Sequence, residues 1–309
     1  MILSRKNVLV TGATGFIGSR LVRKLISFNN CVHIVVRRGS SLAQLEGVID
    51  LIFVHEYDGS IESLEGIMKK SSPDIVYHLA SLFLSSHKSS DIESLVDSNI
   101  LFGIQLLEVV KKFNIRRFVN TGTSWQHFDG EGYNPVNLYA ATKQAFEDIA
   151  RYYVESSADF KFTTLKIFDT YGPGDARGKL VSLLIECIYS KDEISLSPGE
   201  QFLDLVYIDD VIDAFILSGS MLFDADSGQS FSCYSISSKK LIKIKELVSV
   251  IENISEKQIN VNLGGRPYRD REVMKAQGID PVLPGWKPKF NIRMGLEKTI
   301  HFEQESRNS

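Results

Sequence analysis

In the stretch NLYAATKQAFEDIA, Tyr139 precedes Lys143 by four residues, a spacing that puts a phenol and an ammonium on one face of a helix. Such a pair suits proton transfer. An isolated phenol titrates near ~10, and a cation beside it favours phenolate and draws that value toward neutrality. The pair alone decides nothing. A chain with 11 tyrosines offers about one Tyr-x-x-x-Lys by chance, and a packed tyrosine beside a surface lysine would read the same. A second cluster gives the pair a setting. VLVTGATGFIGSRLVRKL carries Gly12, Gly15 and Gly18 directly after an apolar, β-branched run and at the start of an amphipathic one. In a strand–turn–helix, Gly12 permits the tight turn, Gly15 leaves backbone N–H groups open to a pyrophosphate, and Gly18 lets the helix lie close to the sheet. The helix N-terminus, with Phe16 and Ile17 in its first turn, adds unpaired donors and a dipole that favours an anion. This setting predicts dinucleotide binding.

The adenosine end narrows the cofactor. A site selective for NAD places a carboxylate at the end of the second strand, where it bonds the ribose hydroxyls. HIVVRRGSS places Arg37 and Arg38 there, with no acid, and Ser40 and Ser41 follow. Arginine offers a planar, permanently charged fork for a phosphate monoester. The expected cofactor is NADPH (NADP) rather than NAD, and the expected direction is reduction.

Short apolar runs at 7–12, 31–36, 51–56, 74–80 and 117–122 read as buried parallel strands, with 162–168 as a sixth. Helical candidates lie between them at 17–28, 61–70, 92–112 and 138–154. This alternation predicts an α/β fold, a doubly wound parallel sheet of the Rossmann type with helices on both faces. After YGPGD the rhythm changes. A helix near 179–190 precedes segments punctuated by Gly, Pro and Ser, then DLVYIDDVIDAFILSG reads as strand into helix, and 241–254 as a further helix. The expected organisation is a cofactor-binding domain over 1–172, to which 204–222 returns, and a smaller C-terminal substrate lobe from 173–203 and 223–300. The polar tail EQESRNS is expected to fray.

Composition excludes several classes. With 35 basic against 38 acidic residues the net charge is -3, which leaves no electrostatic footprint for nucleic acid. No apolar run approaches the ~20 residues of a membrane span, and the start of the chain does not read as a signal peptide. A cytoplasmic protein with no nucleic-acid or membrane partner is expected. Cys31, Cys187 and Cys233 are widely separated and lack metal-ligand spacing, so reduced, mostly buried thiols and no metal site are expected.

Taken in order, TGATGFIG, DIVYHLAS, DSNILFGIQLLEVVKK, YAATK, YGPGD and DLVYIDDVIDAF resemble the motifs of the extended short-chain dehydrogenase/reductases, over nearly the whole chain. These are the nucleotide-sugar epimerases, dehydratases and reductases. YGPGDARGKLVSLLIECI, GEQFLDLVYIDDV and GWKPKF carry a closer likeness to bacterial reductases of nucleotide-linked 4-keto-6-deoxyhexoses. The resemblance implies that Asp58 lies near the adenine and that Leu79, Ala80 and Ser81 line the cofactor. It adds Asn99 and Thr121 to that set, although Asn99 equally suits helix packing and Thr121 equally suits a strand end. It implies that Thr123, or failing it Ser124, polarises the substrate carbonyl. Tyr139 would then protonate the sugar oxygen as hydride arrives, and Lys143 would bond the nicotinamide ribose. Ser124, Trp125 and Asp169 are expected at the substrate, with Gln126 and His127 facing the sugar and His127 given no catalytic role.

The chain departs from the common pattern at Lys166 and Asp169, where many relatives carry Arg and Asn. Leu203 stands where a substrate-contacting Arg often precedes the Asp. The positive charge for a diphosphate then falls to Lys179 and Arg269, with Arg266 as second choice. Trp286, in GWKPKF, is expected to dock the C-terminal lobe.

The leading expectation is an NADPH-dependent reductase of a dTDP- or CDP-linked 4-keto-6-deoxyhexose, supplying a deoxysugar to surface polysaccharide such as O-antigen. The alternative is a nucleotide-sugar 4-epimerase with tightly bound NAD. A 4,6-dehydratase would want an Asp–Glu pair after the hydroxyl, and TSWQHF has none. A non-catalytic cofactor sensor would not need Tyr139 and Lys143. The helices at 92–112 and 138–154 resemble the pair that builds a four-helix homodimer interface in such enzymes.

Overall fold

Val8 and Val10 face one side of the first strand and Leu9 the other, and this two-residue alternation builds a core on each face of the central sheet. The computed structural model describes residues 3–224 and 230–308. In chain order the first half runs β1 (Asn7–Thr11), α1 (Phe16–Ser27), β2 (Cys31–Arg37), β3 (Ile52–Tyr57), α2 (Ile61–Ser71) and β4 (Ile75–His78). Then come α3 (Ile92–Val96), α4 (Phe102–Lys112), β5 (Arg117–Thr123), α5 (Leu138–Glu155) and β6 (Lys161–Ile167). The second half holds β7 (Asp169–Tyr171), α6 (Leu180–Ser190), β8 (Ile194–Leu196), β9 (Phe202–Tyr207) and α7 (Ile208–Met221). It closes with β10 (Phe231–Ile236), β11 (Leu241–Lys243), α8 (Ile244–Ser255), β12 (Val261–Leu263) and α9 (Ile292–Asn308).

The described residues form a seven-stranded sheet in the order β10-β6-β5-β4-β1-β2-β3, with every pairing parallel. One face carries Ile34, Tyr77, Val119 and Leu165 under α1 and α7; the other carries Val35, Val76, Phe118 and Phe162 under α2, α4 and α5. Each such apolar side chain withdrawn from water contributes roughly 1.5–3 kcal/mol. The doubly wound α/β expectation therefore stands. Smaller sheets, β11-β9-β7 and β12-β8, lie in the second half.

Several local expectations are corrected. The 92–112 helix contains a π-turn at Asp97–Leu101 between α3 and α4. The stretch from 241 opens with β11, and its helix starts only at Ile244. β10 lies in the stretch read as substrate lobe, yet it is the seventh strand of the large sheet, paired with β6. The tail is helical as far as it is described, with Ser309 outside the described residues. α9 runs to Asn308 because Leu296, Thr299 and Ile300 are buried and Arg307 pairs with Glu186 of α6. Of the three cysteines only Cys187 is buried; Cys31, at the head of β2, is exposed. Trp286 is buried as expected, and its indole N–H donates to the Asp210 carbonyl at 2.9 Å. No helix among the described residues is long and apolar enough to cross a membrane.

Candidate active site

The turn between β1 and α1 is built by steric exclusion. Gly12 sits at φ 69°, and a Cβ there would strike the backbone of Leu79 and Ala80 after β4. A Cβ on Gly18 would overlap the Gly12 carbonyl, so only glycine lets α1 approach this closely. At Gly15 a Cβ would meet only the Gly12 oxygen, at 3.4 Å; a side chain would instead project into the groove. That groove has a volume of about 470 Å³. Gly12, Thr14, Gly15, Arg37, Ser40, Leu79, Ala80 and Ser81 line it. An open backbone cradle at a helix N-terminus, with a cationic fork at the far end, fits a dinucleotide.

Of the residues expected at the cofactor, Gly12, Gly15, Arg37, Leu79, Ala80 and Ser81 line the groove, whereas Phe16, Ile17, Gly18, Arg38, Asp58, Asn99, Thr121, Tyr139 and Lys143 do not. Arg38 is exposed one position beyond Arg37. Asp58 spends its carboxylate on the Ser60 N–H (2.9 Å) and hydroxyl (2.6 Å), which makes it the turn before α2. Phe16 is buried, with the guanidinium groups of Arg20 and Arg177 over its ring.

A second cavity, of about 390 Å³, brings Ile17, Thr121, Thr123, Ser124, Trp125, Tyr139, Asp169 and Lys179 together. α5 delivers Tyr139 because Asn137 caps it, its side-chain oxygen accepting from the Ala140 N–H at 2.9 Å. The same Asn137 donates to the carbonyls of Leu84 and Ser85, which ties the loop after β4 to the start of the helix. The π-turn sets Asn99 on that loop as well. It accepts from the Leu82 N–H (2.7 Å) and the Ser81 hydroxyl (3.1 Å), and donates to the Leu82 carbonyl and to Thr142 on α5. Asn99 thus holds the loop after β4 and the helix α5 together rather than lining the groove. Thr123 accepts from the Trp125 N–H at 3.3 Å, which leaves its own hydroxyl proton available to the cavity. The Thr121 hydroxyl oxygen is buried without a partner among the described residues.

Among the protein's own groups, burial dominates the electrostatics here. Burial pushes the Tyr139 phenol up to about 12, against Ser81 and Arg177, which pull it down. Burial also brings Lys143 down to about 8, with Glu147 opposing. Desolvation outweighs the neighbouring protein charges at both groups; the lowering expected from the positive nicotinamide ring of an oxidised cofactor is a separate contribution. A neutral phenol can donate a proton.

Sequence reasoning missed Thr14, Phe83 and Arg177. Phe83 stands edge-on to Tyr139 at 5.0 Å and beside Trp125 at 5.7 Å, with Lys179 Nζ 4.2 Å from its ring centre. Arg177 pairs with Asp175 at 2.6 Å and lines the cavity. Only their neighbourhood to known motifs could have flagged them. A smaller pocket joins Ser124, Trp125, His127, Asp169, Leu203, Arg269 and Arg271. Lys179 sits 3.7 Å from Asp169, whereas Arg266 lines neither cavity.

Residues 8–233 match the model of the NAD dependent epimerase/dehydratase family. The chain is 33% identical over 270 residues to a CDP-abequose synthase of Yersinia pseudotuberculosis, covering 86% of this chain and 90% of that one. It is 26% identical to the CDP-abequose synthase of Salmonella typhimurium, over 97% of this chain and 99% of that one. Among solved structures it matches MoeE5 in complex with UDP-glucose and NAD (TM-score 0.83, 23% identity, 97% and 99% of the two chains). It also matches a UDP-glucose 4-epimerase from Thermotoga maritima (TM-score 0.82, 23% identity, 97% and 99%).

Proposed function

This chain belongs to the NAD dependent epimerase/dehydratase family, and on that premise we propose that it is an NADPH-dependent reductase of a CDP- or dTDP-linked 4-keto-6-deoxyhexose. The observation that carries the reading is geometric: the Tyr139 phenol and the Thr123 hydroxyl, whose proton is free to donate, line one cavity. A ketone being reduced needs both: a proton for its oxygen, and a donor that stabilises the negative charge as it develops there. When bound, NADPH supplies the hydride. Tyr139 gives its proton to the carbonyl oxygen at carbon 4 of the sugar, and Thr123 donates a hydrogen bond to the same atom. Lys143 holds the nicotinamide ribose and favours the phenolate that remains. The likeness to CDP-abequose synthases supports a keto-sugar reductase in this family.

Arg37 and Ser40, at the end of the groove, support a cofactor with a ribose phosphate. The lobe built from 173–203 and 223–300, less β10, takes the nucleotide-linked sugar, with Lys179 and Arg269 toward the diphosphate and Ser124, Trp125 and Asp169 toward the sugar. The product serves surface polysaccharide, and the enzyme works as a cytoplasmic homodimer. A 4-epimerase keeps one observation on its side: Arg37 lines the groove without Arg38, and a single exposed arginine is compatible with NAD.

Reduced-nicotinamide absorbance, followed with freshly made CDP- and dTDP-4-keto-6-deoxyglucose and with NADPH or NADH, tests the proposal. Substrate-dependent oxidation faster with NADPH supports it. No oxidation with either sugar, together with NAD released only on denaturation, turns the assignment to the epimerase.

A further inference from the structure

Lys166 is 3% exposed, in β6 of the central sheet, yet it is surrounded by charge. Its ammonium lies 3.3 Å from Glu147 on α5 and 3.3 Å from Asp280, and it donates to His127 Nε2 at 2.6 Å. The other ring nitrogen, Nδ1, donates to the Glu131 carbonyl at 3.1 Å. His127 Nε2 also lies 3.5 Å from the Asp280 carboxylate. Burial works to raise the Asp280 carboxyl, but His127 and Lys166 outweigh it and hold it below its usual value. Glu147 stands one turn after Lys143 on the same helix face, and both are buried.

The remaining titratable groups that face this cluster are neutral. Burial pushes the Cys233 thiol up, in β10. Burial, with Lys143 beside it, lowers His78 in β4 to about 3, and Tyr139 is a protonated phenol. The cluster sets two lysines, Lys143 and Lys166, beside two carboxylates, Glu147 and Asp280. The cluster also reaches the reacting end: Gln126 approaches Glu147 at 3.5 Å and accepts from the Thr123 N–H at 2.9 Å.

We propose that Glu147 and Asp280, anchored by Lys166, are positioning residues that keep Lys143 in its ammonium form and so set the pH range over which the Tyr139–Lys143 pair works. The inference rests on the catalytic reading of that pair. Removing either carboxylate leaves two buried lysines beside one carboxylate, and a buried unbalanced charge neutralises rather than persists. Lys166 would keep His127 and the surviving carboxylate. Lys143 has burial against its charge and Glu147 in its favour, so Lys143 gives up the proton.

The test is a titration of Lys143 Nζ by nitrogen-15 NMR in the cofactor-free protein, assigned with Lys143→Met, in wild type, Glu147→Gln, Glu147→Asp and Asp280→Asn. The expected result is a midpoint lower by about one pH unit in Glu147→Gln, a tenfold change in the protonation equilibrium. Asp280→Asn should give a smaller drop in the same direction, and Glu147→Asp should restore most of it. The high-pH limb of kcat/KM should move with the midpoint, with KM for the sugar unchanged. Unchanged Lys143 midpoints in the folded variants would overturn the proposal. If Glu147→Gln does not fold, Asp280→Asn, at the partly exposed edge of the cluster, decides it. Because the titration needs no substrate, it reads out even if the keto-sugar proves not to be reduced.

Discussion

At the residue scale the account rests on Tyr139, Thr123 and Lys143. Tyr139→Phe removes the transferable proton and little else, so kcat should fall by ~10²–10⁴ while NADPH affinity, read by fluorescence titration, stays within about twofold of wild type. Thr123→Val removes a donor to the developing negative charge and should cost on the order of 10² in kcat. Lys143 also leaves a signature in stability. The unfolded chain keeps this proton up to its ordinary 10.5, whereas the folded protein releases it near 8. Between those values the unfolded state binds more protons, so Lys143 makes stability rise with pH through that window. Denaturant midpoints should show the rise, and Lys143→Met should flatten it. The placement of Tyr139 and Lys143 on one helix and of the three glycines in one turn was legible in the sequence because it depends on spacing within a single turn or helix. Phe83 and Arg177 were not, since loops far apart in sequence bring them to the cavity. The direction of the Tyr139 shift was hidden too, because burial is a property of the folded chain.

At the element scale the site depends on how α5, the π-turn and the loop after β4 are joined. Asn99 supplies that joint through four hydrogen bonds. Asn99→Ala leaves buried partners unsatisfied and should cost about 1–3 kcal/mol in chemical denaturation, with proteolysis of the 81–87 loop accelerated. The groove's far end carries a second consequence. Arg37→Ala should reduce the preference for NADPH over NADH by at least tenfold in kcat/KM, on the order of one charge-assisted bidentate contact, while Arg38→Ala should change it little. A strand or helix with a strong period was readable: β1, β2, β5 and α5 all fall within a residue or two of expectation. β10 was not, because FSCYSI at the sheet edge is only half buried over its first four residues and lacks a strong apolar run. α9 was missed because its charged exposed face dominates the composition, with only Leu296, Thr299 and Ile300 marking the buried stripe.

At the scale of the whole molecule, two apolar layers on a parallel sheet position both the groove after β1 and the cavity that Tyr139 lines. Buried histidines make this body sensitive to acid. Burial lowers His33 to about 4 and His78 to about 3, so neither protonates in the folded state as pH falls through the ordinary value of 6.5. The unfolded chain does protonate there, and stability drops from pH 6.5 down to those values, for His78 by about 1.4 kcal/mol per unit. Thermal midpoints should follow that slope, and His78→Gln should flatten it. The exposed Ile92, Val96, Leu101 and Tyr152 on α3, the π-turn and α5 offer an apolar face suited to a second copy. Light scattering should return a dimer, and Val96→Lys with Leu101→Lys should return a monomer. The most direct test of the central claim, net reduction at carbon 4, uses NADPH deuterated at its transferable position with the 4-keto-6-deoxy sugar nucleotide. The account predicts one deuterium at carbon 4 of the product for each NADPH consumed, lost in Tyr139→Phe. A product epimerised without label, with the cofactor unconsumed, would contradict it.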